Sequence, residues 1–212
     1  MKQYTIKKIY ESAIGISAVI SREGEEDEIL SFKLSVWADE GLKTGAAFDE
    51  YEMDRLRYLS DVCKAMVRGE AMLGYSDHSK KRLAMRLVQL GFERDTASDA
   101  AHRIEAAGLI NEADQAERLC REYVRYKNWG KKRIAAELTS KGYEKNAILY
   151  GLSFISDDEF RSALSRLISQ KYKNSPADRR ERDKRVAALM RLGHNTGDII
   201  RAMRENYESD DF

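Results

Sequence analysis

Leu87-Val-Gln-Leu90-Gly91, Leu138-Thr-Ser-Lys141-Gly142 and Leu189-Met-Arg-Leu192-Gly193 decide how this chain is read. The three glycines lie 51 residues apart, each with a leucine four positions before it. Six residues after them stand Ala97, Ile148 and Ile199, and ten after stand Ala101, Leu152 and Met203. Upstream, Val62, Ala113 and Leu164 correspond, as do Ala65, Ala116 and Leu167. Leu83, Leu87 and Leu90 run at helical spacing into Gly91, which places the glycine at a left-handed helix cap. The period predicts three units of three helices each, with the glycine between the second and third helix. A three-helix unit buries little by itself, so neighbours are expected to stack. The expected fold is therefore mainly α: an elongated, curved array of three tandem three-helix repeats, about nine helices, over 49–108, 109–155 and 156–212.

Residues 1–48 read differently. In Ile14-Gly-Ile16-Ser-Ala18-Val-Ile20 and Leu30-Ser-Phe32-Lys-Leu34-Ser-Val36 the apolar side chains recur at every second position, which predicts two half-buried strands. The polar stretch Ser21–Glu28, with Gly24, is the natural loop of a small N-terminal β-hairpin. Gly41 and Gly45 punctuate the connection to the helices, and the helical period runs from Asp49 to Asn206.

The 212 residues include a single proline, Pro176, which speaks for long helices and against an all-β fold. With 42% apolar residues the chain can build a core, and no run is long and apolar enough for a membrane span. The N-terminal MKQYTIKKIY lacks the apolar core of a signal peptide, so a cytoplasmic location is expected, with Cys63 and Cys120 as reduced thiols. The net charge of +1 hides an asymmetry: residues 1–52 hold six bases against eleven acids, and residues 161–191 hold ten bases against three acids. Such an imbalance suits an anionic partner for the C-terminal part, and it also suits an ordinary solvated helical surface.

Eleven residues before each glycine begin the triplets Lys80-Lys81-Arg82, Lys131-Lys132-Arg133 and Arg182-Asp183-Lys184, followed by Arg185. All are expected at the start of the second helix of a unit. Cations there oppose the helix dipole by a few tenths of a kcal/mol each. Unpaired amides at a helix start, reinforced by Lys and Arg, favour phosphate or carboxylate, and repetition would make a discontinuous basic track. Tyr123, Tyr126 and Trp129 are interleaved with Arg125 and Lys127. Such a stripe reads first as the buried face of a helix and second as a platform for stacked bases. Catalytic signals are missing. His78, His102 and His194 form no metal-ligand spacing, neither cysteine has a CxxC neighbour, and no phosphate-cradling glycine loop or nucleophile elbow occurs. No catalytic residue, metal or cofactor is expected. From the residues alone a nucleic-acid-binding helical module and a protein-only helical adaptor both stay open.

Ser79-Lys-Lys-Arg-Leu83, Leu87, Leu90, Gly91-Phe92 and Ile104 to Gly108-Leu-Ile110-Asn-Glu112 are similar to the pattern of the RecX family. Ala116, Tyr123, Gly130, Arg133-Ile134, Glu137-Leu138 and Lys141-Gly142 continue the resemblance, and Gly41-Leu42-Lys43-Thr44-Gly45 is similar to the family's start. Leu192-Gly193-His194 departs from it, since the family usually has Phe after this glycine, and the acidic loop Glu23–Glu28 is longer than usual. The resemblance implies a non-enzymatic modulator of the recombinase RecA, acting in DNA recombination, repair and the SOS response. It implies a curved nine-helix module lying along the RecA filament on single-stranded DNA, hindering ATP turnover and strand exchange. Lys80, Lys81, Arg82, Arg125, Lys127, Lys131, Lys132, Arg133, Arg182, Lys184 and Arg185 are the candidate contacts to that filament. The protein is expected to act as a monomer without a membrane.

Overall fold

A computed structural model describes residues 3–208; the extreme ends of the first and last predicted segments, 1–2 and 209–212, lie outside the described residues. The protein is mainly helical, with a small antiparallel sheet near the N-terminus, and divides into two compact units, Met1–Ile110 and Asn111–Phe212.

The first unit opens with β1 (Tyr4–Glu11), β2 (Ile16–Ser21) and β3 (Glu28–Phe32), followed by α1 (Leu34–Glu40) and β4 (Ala47–Phe48). The sheet order is β3-β2-β1-β4, all pairs antiparallel. The two predicted strands therefore pair as expected, but the sheet has four strands among the described residues. β1 escapes period-two reading because its register with β2 shifts between Ile6 and Lys8, so its apolar residues do not alternate throughout. The predicted strand Leu30–Val36 stops at Phe32. Leu34 to Glu40 wind into α1, which closes on Gly41 at φ 60°. Only Val36 of this segment is buried and Leu34 is 67% exposed, so the 34/36 alternation marked no shared face.

α2 (Glu50–Leu73) starts with a capping box in which Asp49 and Glu52 exchange side-chain-to-backbone hydrogen bonds. Met53, Leu56, Leu59 and Cys63 cover the sheet, while Val62, Ala65 and Met66 face α3 (Lys80–Gln89) and α4 (Arg94–Ala106). α2 thus joins two cores, and Leu83, Leu87, Ala97, Ala101 and Ile104 complete the second.

The second unit holds α5 (Glu112–Lys127), α6 (Lys131–Ser140) and α7 (Lys145–Ser153), then α8 (Asp157–Lys171), α9 (Arg179–Arg191) and α10 (Thr196–Glu208). Ile134, Leu138, Tyr143 and Ile148 fill the core of the first triplet, and Leu164, Ile168, Leu189 and Ile199 that of the second. With α1, ten helices occur among the described residues.

The three cap glycines adopt φ values of 99°, 86° and 92° at 91, 142 and 193. The closing hydrogen bonds match in all three. Phe92 N–H donates to Leu87 O (3.2 Å), Tyr143 N–H to Leu138 O (3.1 Å) and His194 N–H to Leu189 O (3.4 Å). The glycine amides donate to Val88, Thr139 and Met190 carbonyls at 2.9–3.0 Å. This is the Schellman pattern, which satisfies carbonyls left over at a helix end and explains the leucine–glycine spacing.

Candidate functional site

The helix starts are where the basic triplets were expected, with one shift. Lys80-Lys81-Arg82 and Lys131-Lys132-Arg133 occupy the first turns of α3 and α6. α9 begins earlier, at Arg179, so Arg182-Asp183-Lys184 lies in its second turn; the acidic cap Asp178 starts the helix three residues sooner.

The amides at these helix starts are partly taken. Ser79 Oγ accepts the Arg82 N–H (3.2 Å), and Asp178 Oδ1 accepts that of Glu181 (2.7 Å). At α6 the carbonyl of Gly193 approaches the Lys132 N–H at 3.4 Å, standing where an anion would sit. The cations are therefore available as side-chain heads more than as parts of a backbone anion cradle.

Several heads are also committed. Lys80 Nζ donates to Glu105 Oε2 (2.8 Å) and ties α3 to α4. Lys131 Nζ donates to Asp157 Oδ1 (2.7 Å) and lies 5.2 Å from the Phe160 ring centre, linking α6 to α8; the same lysine holds the Asp157 carboxyl below its ordinary pKa. Arg185 is structural: it pairs with Glu181, donates to Asn174 O (2.6 Å) and Tyr207 Oη (2.9 Å), and lies over the Tyr172 ring. Arg182 lies 3.6 Å from its neighbour Asp183.

The corner between α5 and α6 brings the other candidates together. Lys127 Nζ sits 4.6 Å from the Trp129 ring centre and 4.8 Å from that of Tyr123, and the Arg133 guanidinium is 5.0 Å from Trp129. Tyr123 and Trp129 pack together at 4.9 Å. Cations over an indole face are attracted by its quadrupole and held in place. Exposed Lys132 lies on the same first turn. The aromatic stripe divides: Tyr123 is core, Trp129 is half-buried, and Tyr126 is 69% exposed with Arg125 over its ring at 5.3 Å. α5 ends at Lys127 with Asn128 in a left-handed cap (φ 50°), so Trp129 lies beyond the helix and the expected stripe does not run along one helix.

This corner is pinned by a joint that sequence reading missed. His194, 6% exposed, hydrogen-bonds through Nε2 to Asn128 O at 2.8 Å. Burial pushes its pKa below the ordinary 6.5, opposed by that carbonyl and by Asp198. A carbonyl only accepts, so Nε2 carries a proton. Gly130 N–H donates to Leu192 O (2.8 Å), and the two glycine backbones touch: a methyl on Gly193 would lie 2.6 Å from Arg133 Cβ and 2.7 Å from Gly130 O. The signal was a histidine where Phe92 and Tyr143 stand in the other two caps. Its partner 66 residues away was out of reach of any local pattern.

Among the described residues no three His, Cys, Asp or Glu side chains gather into a metal-binding group, and no helix is long and apolar enough to cross a membrane. Both cysteines are buried thiols; burial pushes Cys63 up and Cys120 up to about 12.

No family model matches the chain. Curated relatives do. Regulatory protein RecX of Bacillus velezensis is 25% identical over 173 residues, 80% of this chain and 66% of the relative. That of Stenotrophomonas maltophilia is 28% identical over 144 residues, 68% of this chain and 86% of the relative. That of Herminiimonas arsenicoxydans is 27% identical over 139 residues, 66% and 90%. The chain is thus similar in sequence to proteins named regulatory protein RecX. The fold agrees: a crystal structure of regulatory protein RecX matches with a TM-score of 0.75 at 18% identity, covering 97% of this chain and 99% of that one. RecX from Lactobacillus salivarius matches with a TM-score of 0.59 at 21% identity over 69% of this chain and 96% of its own.

Proposed function

We propose that this chain regulates RecA by binding the RecA–single-stranded DNA filament, hindering ATP turnover and strand exchange. Likeness to proteins named regulatory protein RecX carries the reading. The α5–α6 corner supports it chemically. Lys127 and Arg133 are ordered on Trp129, Lys132 stands exposed beside them, and Tyr126 offers an open ring for stacking. Ordered cations lose less freedom on meeting phosphates, and each phosphate neutralised releases counterions. The helix triplets over 49–108, 109–155 and 156–212 are the proposed units of duplication, supported by their matching caps.

The test is titration of the purified protein into RecA on single-stranded DNA while following ATP hydrolysis. Hydrolysis is expected to fall, and Lys127→Glu with Lys132→Glu to shift half-inhibition to higher concentration at unchanged helicity. Unaltered hydrolysis at saturating protein overturns the proposal. Equal affinity for bare DNA, with a steep salt dependence, would mark a nucleic-acid module that acts without RecA.

A further inference from the structure

α3 carries more apolar surface than its unit buries. Leu83 and Leu87 are fully buried, yet Met85 is 56% and Val88 40% exposed, one step round the helix. With Ala84, and with Ala101 from α4, they floor an open groove of about 550 Å³ between α3 and α4. Lys81 and Arg94 stand on its rim, both exposed. Scattered surface apolar residues need no explanation, whereas a continuous apolar floor does.

The same groove recurs 102 residues later, at equivalent positions of the last triplet. Val186, Ile200 and Met203 line a space of about 790 Å³ between α9 and α10, with Arg182 and Arg204 on the rim. Ile200 is 57% exposed. There Lys173–Pro176, from the α8–α9 connection, forms one wall; the α3–α4 groove is lined by its two helices alone.

We propose that the α3–α4 groove docks an acidic, amphipathic segment of a partner protein. Its apolar side chains would lie on Met85, Val88 and Ala84, and its carboxylates against Lys81 and Arg94. The cationic rim requires an anionic partner, and the floor tells which kind. No Phe, Tyr or Trp lines the groove and its one ring is the imidazole of His102, so bases would find little to stack on, and a phosphate backbone gains nothing from methionine, valine and alanine. An amphipathic helix satisfies both parts, with apolar anchors one turn apart and acids on the flanks, and a methionine floor adapts to its shape. None of these residues belongs to the α5–α6 corner that supports the proposed function; Lys81, a candidate filament contact by sequence, is assigned here to the peptide instead.

The test is a random 12-residue peptide phage library panned on the full chain. Enriched sequences are expected to carry two apolar residues three or four positions apart, flanked by Asp or Glu. A fluorescein-labelled winner should bind saturably. Met85→Glu and Lys81→Glu should each weaken it about tenfold or more, while Tyr75→Glu, outside the groove, leaves it unchanged. Circular dichroism confirms that the variants fold, since both side chains are exposed. Enrichment of basic or purely polar peptides, no enrichment, indifference to Met85→Glu, or displacement of the peptide by a 20-mer of deoxythymidine would each overturn the proposal.

Discussion

Gly91 and Gly193 have φ values of 99° and 92° and the same closing hydrogen bonds, yet alanine should be tolerated very differently at the two. At Gly91 an added methyl meets nothing within 4 Å. The cost there is only that of a non-glycine residue in the left-handed region, about 1–2 kcal/mol. At Gly193 the same methyl runs into the Arg133 amide and lies 2.6 Å from Arg133 Cβ and 2.7 Å from Gly130 O. Backbone cannot swing aside as a side chain can, so the start of α6 must separate from the α9–α10 turn. That separation weakens the Gly130–Leu192 and His194–Asn128 hydrogen bonds, both 2.8 Å. Two such bonds add about 1–3 kcal/mol, for a total of about 2–5 kcal/mol. Trp37 and Trp129, the only two tryptophans, lie one in each unit. Fluorescence of Trp129 in a Trp37→Phe background, and of Trp37 in a Trp129→Phe background, therefore follows each unit's unfolding in urea. With a slope of about 2 kcal/mol per M, the midpoint should fall by about 0.5–1 M for Gly91→Ala and about 1–2.5 M for Gly193→Ala. Equal shifts, or a smaller one for Gly193→Ala, would refute the backbone-contact argument.

Other outcomes follow from particular side chains. Burial holds the folded-state pKa of His194 below the ordinary 6.5, so the unfolded chain binds the proton more readily. The second unit should be fully stable above about pH 6.5 and lose stability as the pH falls below it. His194→Asn should lower stability at neutral pH but flatten that slope, as read from urea midpoints at about pH 7.5 and 5.5. Cys63 and Cys120 should resist iodoacetamide in the native protein at about pH 8 and react once urea unfolds it, because burial withholds the thiolate. Leu138→Ala, at a fully buried side chain, should cost about 2–5 kcal/mol in the Trp129 transition. Arg185→Ala should destabilise the second unit, since it removes the pair with Glu181 and the bonds to Asn174 O and Tyr207, whereas Lys184→Ala should leave the midpoint nearly unchanged.

How far the residues could be read depends on the range of the interactions that place them. The stripe Leu83–Leu87 and the cap at Gly91 are settled within a few residues, so helices, their ends and the first two basic triplets could be located by spacing. β1 resisted because its register slips beside Ile6, and Leu34–Val36 because Leu34 is exposed and the apparent alternation marks no buried face. The corner at Trp129 was half visible: its cations and rings are neighbours in the chain, but which ring is buried depends on what packs against α5. Arg185 looked like Arg182 by composition, but Arg182 meets only its neighbour Asp183 at 3.6 Å while Arg185 is held by Tyr207 and Asn174 from elsewhere in the chain.

From its sequence alone the chain was committed to capped helices of defined length, because leucines four apart and a glycine after them act over a single turn. Folding decided the rest: that Gly130 meets Gly193, that His194 reaches the Asn128 carbonyl, that four strands share a sheet, and that α3 leaves Met85 and Val88 uncovered. These depend on segments tens of residues apart meeting in space, and no local period records such a meeting.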